Sequence, residues 1–162
     1  MNIRVAAVSA FAAHQHKKED PYPFCKNPLD FIFVTNLAEH DVSYSDLIDA
    51  ILLDSEKYKL VWESQTAKFG FQSRHIFEKP QASIINLTSI IEKVIDIYLE
   101  KFRSEQNAFI QSWPKTCKLS WWFNRLLKDG YHYSHIHSDG WLSGVVYLQV
   151  PESDNSCEGG IE

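Results

Sequence analysis

Residues 135–141 read HIHSDGW and gather side chains that can hold a metal ion. Alternate residues of an extended strand point to the same face. Tyr131, Tyr133, His135 and His137 therefore project together, and Asp139 joins them if the chain stays extended. Two imidazoles and one carboxylate leave further coordination positions open. Non-heme iron(II) oxygenases use such a donor set to admit a cosubstrate and dioxygen. Zinc takes the same donor types. HxH and HxD triplets also arise at plain strand ends, where Asp139-Gly140 makes an ordinary polar turn. A second HxH, His14 and His16, sits among lysines near the N-terminus and reads as a solvated tail.

The elements that must position these residues follow from hydrophobic periodicity. Residues 14–30 are polar, carry three prolines and read as extended. Phe31–Thr35 is rich in β-formers and predicts a strand, and so does Tyr58–Glu63. Ser43 or Ser45 is placed to cap a helix through Ile48, Ile51 and Leu52. Gly70 breaks the pattern before FQSRHIF. The clearest helix spans about 82–103. There Ile84, Leu87, Ile91, Val94, Ile95, Tyr98 and Phe102 form one apolar face. Trp113-Pro114 closes the helical region. From Cys117 the period becomes two: Trp121 and Phe123 fall on one face, Trp122 and Asn124 on the other. Lys128-Asp129-Gly130 carries a hairpin signal. Residues 131–137 then predict a return strand, and 144–150 a further strand ended by Pro151.

A chain of 162 residues, 44% hydrophobic and 14% aromatic, suits one domain with a real core. The formal charge of −5 and the lack of a basic stripe argue against nucleic acid as a partner. Three cysteines without a CxxC spacing argue against a disulfide framework or structural zinc, and fit reduced thiols in a cytoplasm. No apolar run has the length of a membrane span. The alanine-rich start is short on Leu and Ile for a secretory leader. Neither a GxSxG stretch nor a phosphate-cradling glycine loop is present.

The segment FNRLLKDGYHYSHIHSDGWLSGVVYLQVPESDNSCEGGIE resembles the 2-oxoglutarate and iron(II)-dependent oxygenases that carry an HxH…WLSGVYY…P…G pattern, relatives of the prolyl hydroxylases. The likeness is strong over 120–161 and weaker upstream, where FCKNPLDFI and FGFQS also match. It implies an α+β fold, with N-terminal helices packed on an antiparallel double-stranded β-helix, or jelly roll. Residues 24–162 would form that domain, and 1–23 an extended segment before it. The resemblance also implies iron(II), 2-oxoglutarate and dioxygen. In that chemistry 2-oxoglutarate loses carbon dioxide to give succinate while a substrate C–H bond is hydroxylated.

Carried onto this chain, the resemblance leaves the ligand set open among His135, His137 and Asp139. The family pattern favours the HxH pair, and the wider superfamily favours His137 with Asp139. The histidine left over would orient the other. Tyr147 resembles a tyrosine that contacts 2-oxoglutarate, and Asn124 a polar residue facing the same cosubstrate. A tyrosine packed on a sheet is the plainer role for Tyr147. Trp141 and Ser143 belong to the signature, Trp141 as a candidate pocket wall. Trp121 and Trp122 read as core. The family also needs a distal His, and an Arg or Lys for the far carboxylate of 2-oxoglutarate. Both are expected beyond Glu162, so the chain reads as an incomplete domain that lacks the last strands, binds iron weakly and does not turn over. The substrate class is an amino-acid side chain, in a peptide or free, or a small metabolite. Two other readings compete: a cupin-like metal-binding barrel, and a non-catalytic interaction module.

Overall fold

The computed structural model describes residues 3–40, 44–64, 66–73, 80–137 and 140–150. Among the described residues, four α-helices, α1 (Ile3–Gln15), α2 (Tyr44–Ser55), α3 (Ala82–Phe102) and α4 (Ala108–Gln111), accompany three strands, β1 (Leu60–Trp62), β2 (Ala67–Ser73) and β3 (Asn124–His132). The fold class is α+β. The strands form one antiparallel sheet in the order β1-β2-β3.

Helix α3 forms because its apolar residues recur at three- and four-residue spacing over six turns. Its two halves serve different clusters. Ile84, Leu87 and Ile90 pack with Tyr44, Leu47 and Ile51 of α2, where the same spacing builds the facing stripe. Ser83 donates to Asp54 Oδ2 at 2.6 Å and ties the two helices at their polar margin. Tyr98 and Phe102 pack with Phe109 and Ile110 of α4, and Phe24, Phe31, Phe33, Trp113 and Trp141 surround them. Asn107 starts α4 by accepting from the Ile110 amide at 3.0 Å.

The Tyr98 hydroxyl donates to the Phe31 carbonyl at 3.0 Å. Burial, with a smaller contribution from Cys25, pushes that hydroxyl from 10.0 up to about 12. Above pH 10 the unfolded chain ionises first. The stabilisation from a neutral Tyr98 is thus complete below pH 10 and lost as pH rises through 12. Urea midpoints should fall across that window. Tyr98→Phe should make the fall shallower, and a Tyr98→Phe curve parallel to wild type would contradict the assignment.

Several elements differ from the sequence reading. Ile3–Gln15 is helical, although 1–23 reads as extended. Pro28–Phe31 is a 3-10 turn, and Ile32–Thr35 continues without strand pairing because Phe31 and Phe33 enter the aromatic cluster around Tyr98. Ser43 lies outside the described residues. Gly70 sits inside β2 and ends nothing: a Cβ there would stand 2.8 Å from the Arg125 carbonyl oxygen. Residues 117–123 are not a strand, and 140–150 contain none. The sheet therefore draws two strands from the middle of the chain and one from its C-terminal third.

The expected hairpin at Asp129-Gly130 is a bulge instead. Asp129 does adopt a left-handed conformation, φ 61°, but β3 runs on through it. Ala67 and Lys68 pair with His132 and Tyr131, whereas Gly70 and Phe71 pair with Leu126 and Arg125. Leu127–Gly130 thus stand opposite the single residue Phe69. Along β3 Leu126, Leu127 and Tyr131 are exposed, as is Phe69 of β2.

Candidate metal centre

The end of β3 delivers the histidines. Tyr133 makes the last bond to the β2 side, its amide donating to the Thr66 carbonyl at 2.9 Å. Beyond it the two-residue alternation still operates. Tyr131 and Tyr133 meet at a ring separation of 5.2 Å, and His135 and His137 at 5.0 Å. The Nε2 atoms of His135 and His137 lie 3.0 Å apart, so these rings meet nitrogen to nitrogen.

Hydrogen bonding fixes one tautomer. His135 Nδ1 lies 2.7 Å from the Tyr133 carbonyl oxygen, which only accepts. Nδ1 therefore carries the proton, and Nε2 of neutral His135 is a bare lone pair. Without a cation, His137 Nε2–H donates to it. An imidazole ligand whose other nitrogen donates to a backbone carbonyl is the usual support for a metal-bound histidine. Two nitrogens each about 2.1 Å from an ion are about 3.0 Å apart at a right angle and about 3.4 Å apart at the tetrahedral angle. The observed 3.0 Å is the spacing of the hydrogen bond between the rings, and it leaves the two nitrogens near enough that both could reach one ion.

His132 completes a row of three rings, its centroid 5.9 Å from that of His135. Burial, then the nearby His135 and His137, hold its imidazole below the ordinary range. Its Nδ1 is buried with no partner among the described residues. Even so, no group of three His, Cys, Asp or Glu among the described residues is placed to hold a metal. Asp139, the expected carboxylate, lies outside the described residues. On its near side the Gly140 amide donates to the His137 carbonyl at 3.0 Å.

The other expected residues scatter. Asn124 is engaged across the sheet, where Gln72 Nε2 donates to its Oδ1 at 2.9 Å. Tyr147 is 52% exposed and on no strand, so it is not the sheet-packed tyrosine of the plainer reading. The Trp141 indole donates to the Phe109 carbonyl at 3.3 Å and packs edge-on to Phe24. That contact anchors the chain just past the histidines to the helical layer. Trp121 packs against the α2–α3 cluster, as its face predicts. Trp122, read as core, lies near-parallel to the His137 ring at 5.3 Å and 24°. His132 and Trp122 are the site residues the sequence reading missed, although the face assignment had already separated Trp122 from Trp121. His14 and His16 are exposed. Two open hollows, of about 360 and 500 Å3, lie beside Phe102 and between α2 and α3, and neither is lined by a histidine.

Residues 120–160 match a family model described as "Putative 2OG-Fe(II) oxygenase". The match spans β3, the histidine pair, Asp139, Trp141 and Tyr147. No curated protein and no solved structure matches the chain. Among the described residues no helix is long and apolar enough to cross a membrane.

Proposed function

We propose that this chain carries the iron-binding strand end of a 2-oxoglutarate and iron(II)-dependent dioxygenase. The hydroxylated substrate is an amino-acid side chain or a small metabolite. The observation that carries this reading is the His135–His137 pair, with Nε2 atoms 3.0 Å apart and His135 Nδ1 committed to the Tyr133 carbonyl. The family match over 120–160 supports it. A jelly roll, of which β1–β3 would be one part, belongs to the same reading.

His135 and His137 would hold the metal through Nε2, and Asp139, two residues on, would supply the carboxylate. Bound iron supplies the coupled oxidation of 2-oxoglutarate and substrate. The rest falls to the chain's own groups. The Tyr133 carbonyl keeps the His135 proton on Nδ1, so its Nε2 stays free to ligate. Trp141 ties the segment after the pair to α4. Tyr147, about half exposed, would face the cosubstrate, whereas Asn124 would have to leave Gln72 to do so. A cupin-like barrel would use the same two histidines without needing 2-oxoglutarate, and an interaction module would need neither.

The test is anaerobic iron(II) titration of the full chain, with and without 2-oxoglutarate. One ion should bind weakly per chain, and 2-oxoglutarate at high concentration should add a visible absorption band. The double substitution His135→Ala/His137→Ala should abolish both signals. Binding that ignores 2-oxoglutarate would favour the cupin-like reading. Binding that survives the double substitution would exclude the pair as ligands.

A further inference from the structure

Trp122 sits where the pattern of residues 121–123 sends it. Trp121 and Phe123 turn toward the helices and join the α2–α3 cluster. Phe123 is also clamped to the end of β2: its amide donates to Ser73 Oγ, and its carbonyl accepts from the Ser73 amide, each at 2.9 Å. With both neighbours held, the residue between them points the other way. Its indole lies against His137, with ring centroids 5.3 Å apart and planes 24° from parallel.

The two histidines are thus held by different devices. A hydrogen bond to a backbone carbonyl orients His135. For His137, the near-parallel indole restrains the ring, because rotation about the Cβ–Cγ bond would break the stack. The indole face is also the negative face of its quadrupole, and it attracts an imidazole that gains positive character when its Nε2 ligates a cation. The stack therefore contributes most in the metal-bound state.

We propose that Trp122 is a positioning residue that fixes the plane of His137 for metal binding and stabilises the ligated imidazole; this rests on the reading of the pair as ligands. The experiment is Co(II) titration of the full chain, followed by visible absorption and by tryptophan fluorescence. Wild type, Trp122→Ala, Trp122→Phe and His137→Ala are compared, with far-ultraviolet circular dichroism as the folding control. Trp122→Ala should weaken Co(II) binding about tenfold, the scale of losing an outer support of a metal ligand. Trp122→Phe, which keeps a ring face, should restore most of it. Co(II) should quench less fluorescence in Trp122→Phe than in wild type, because the indole nearest the ion is gone.

A folded Trp122→Ala that binds Co(II) like wild type overturns the proposal. If Trp122→Ala does not fold, the quenching decides: equal quenching in wild type and Trp122→Phe overturns the proposal, and a reduced amplitude supports it. A wild-type chain that takes up no Co(II) overturns the pair as ligands and the stack with it. Binding that is lost in His137→Ala but unchanged in Trp122→Ala overturns the stack alone.

Discussion

Ile84→Ala should cost about 3–4 kcal/mol and lower the urea midpoint by about 1.5–2 M. Ile84 is 1% exposed and lies in the same cluster as Ile51, which is 0% exposed. Truncation removes three carbons from a fully dry site and leaves a cavity against α2. That cavity closes only if two helices held by Tyr44, Leu47, Leu87 and Ile90 shift together. Chemistry and position separate cleanly at the next residue. Ile85 carries the same side chain at 54% exposure, so Ile85→Ala should lie within about 0.5 kcal/mol of wild type. Equal losses at 84 and 85 would mean that the buried face of α3 is wrongly assigned. Ile51→Ala combined with Ile84→Ala should deviate from the sum of the single losses, since both empty one space.

Gly130→Ala should destabilise by about 2–3 kcal/mol and weaken metal uptake at the same time. A Cβ at 130 would stand 2.6 Å from the Phe69 carbonyl oxygen, 2.9 Å from the Leu127 carbonyl oxygen and 3.0 Å from Leu126 Cβ. The two oxygens belong to backbone, one on each strand, so neither can rotate away. Relief requires β2 and β3 to separate at the bulge. His132, His135 and His137 hang from the strand immediately beyond that point. Thermal denaturation and Co(II) titration should therefore move together in this variant. An unchanged melting temperature would show that the strands do not approach as described.

Much of α3 is legible in the sequence because its face is a local property. The expected span of about 82–103 compares with Ala82–Phe102. The closeness of His135 and His137 is legible for the same reason, as is the separation of Trp122 from Trp121 and Phe123. The errors arise where a distant partner decides. Asp129-Gly130 encodes a left-handed backbone, and Asp129 adopts it. Whether that backbone reverses the chain depends on β2, some sixty residues upstream, which pairs with β3 on both sides of the bulge. Phe31 and Phe33 look like strand residues, but an aromatic cluster built on Tyr98 and Phe109 claims them. Trp141 is held by α4, which presents the Phe109 carbonyl to its indole. No local pattern carries these outcomes.

Large side chains flanking the sheet join it to the helices. Trp121 and Phe123 lead into β3, Tyr58 precedes β1, and Trp141 follows the histidines. Most of β3 itself is open to water. Sub-global opening favours elements with few buried apolar contacts, so the exposed strand β3 is expected to open at lower free energy than the α2–α3 pair. An ion held by His135 and His137 would bind only while the end of that strand is closed. By mass action it would suppress the sheet's opening in proportion to its concentration over its dissociation constant. Metal availability would then set the lifetime of the sheet, so the ion would act as a conformational fastener even with no cosubstrate present.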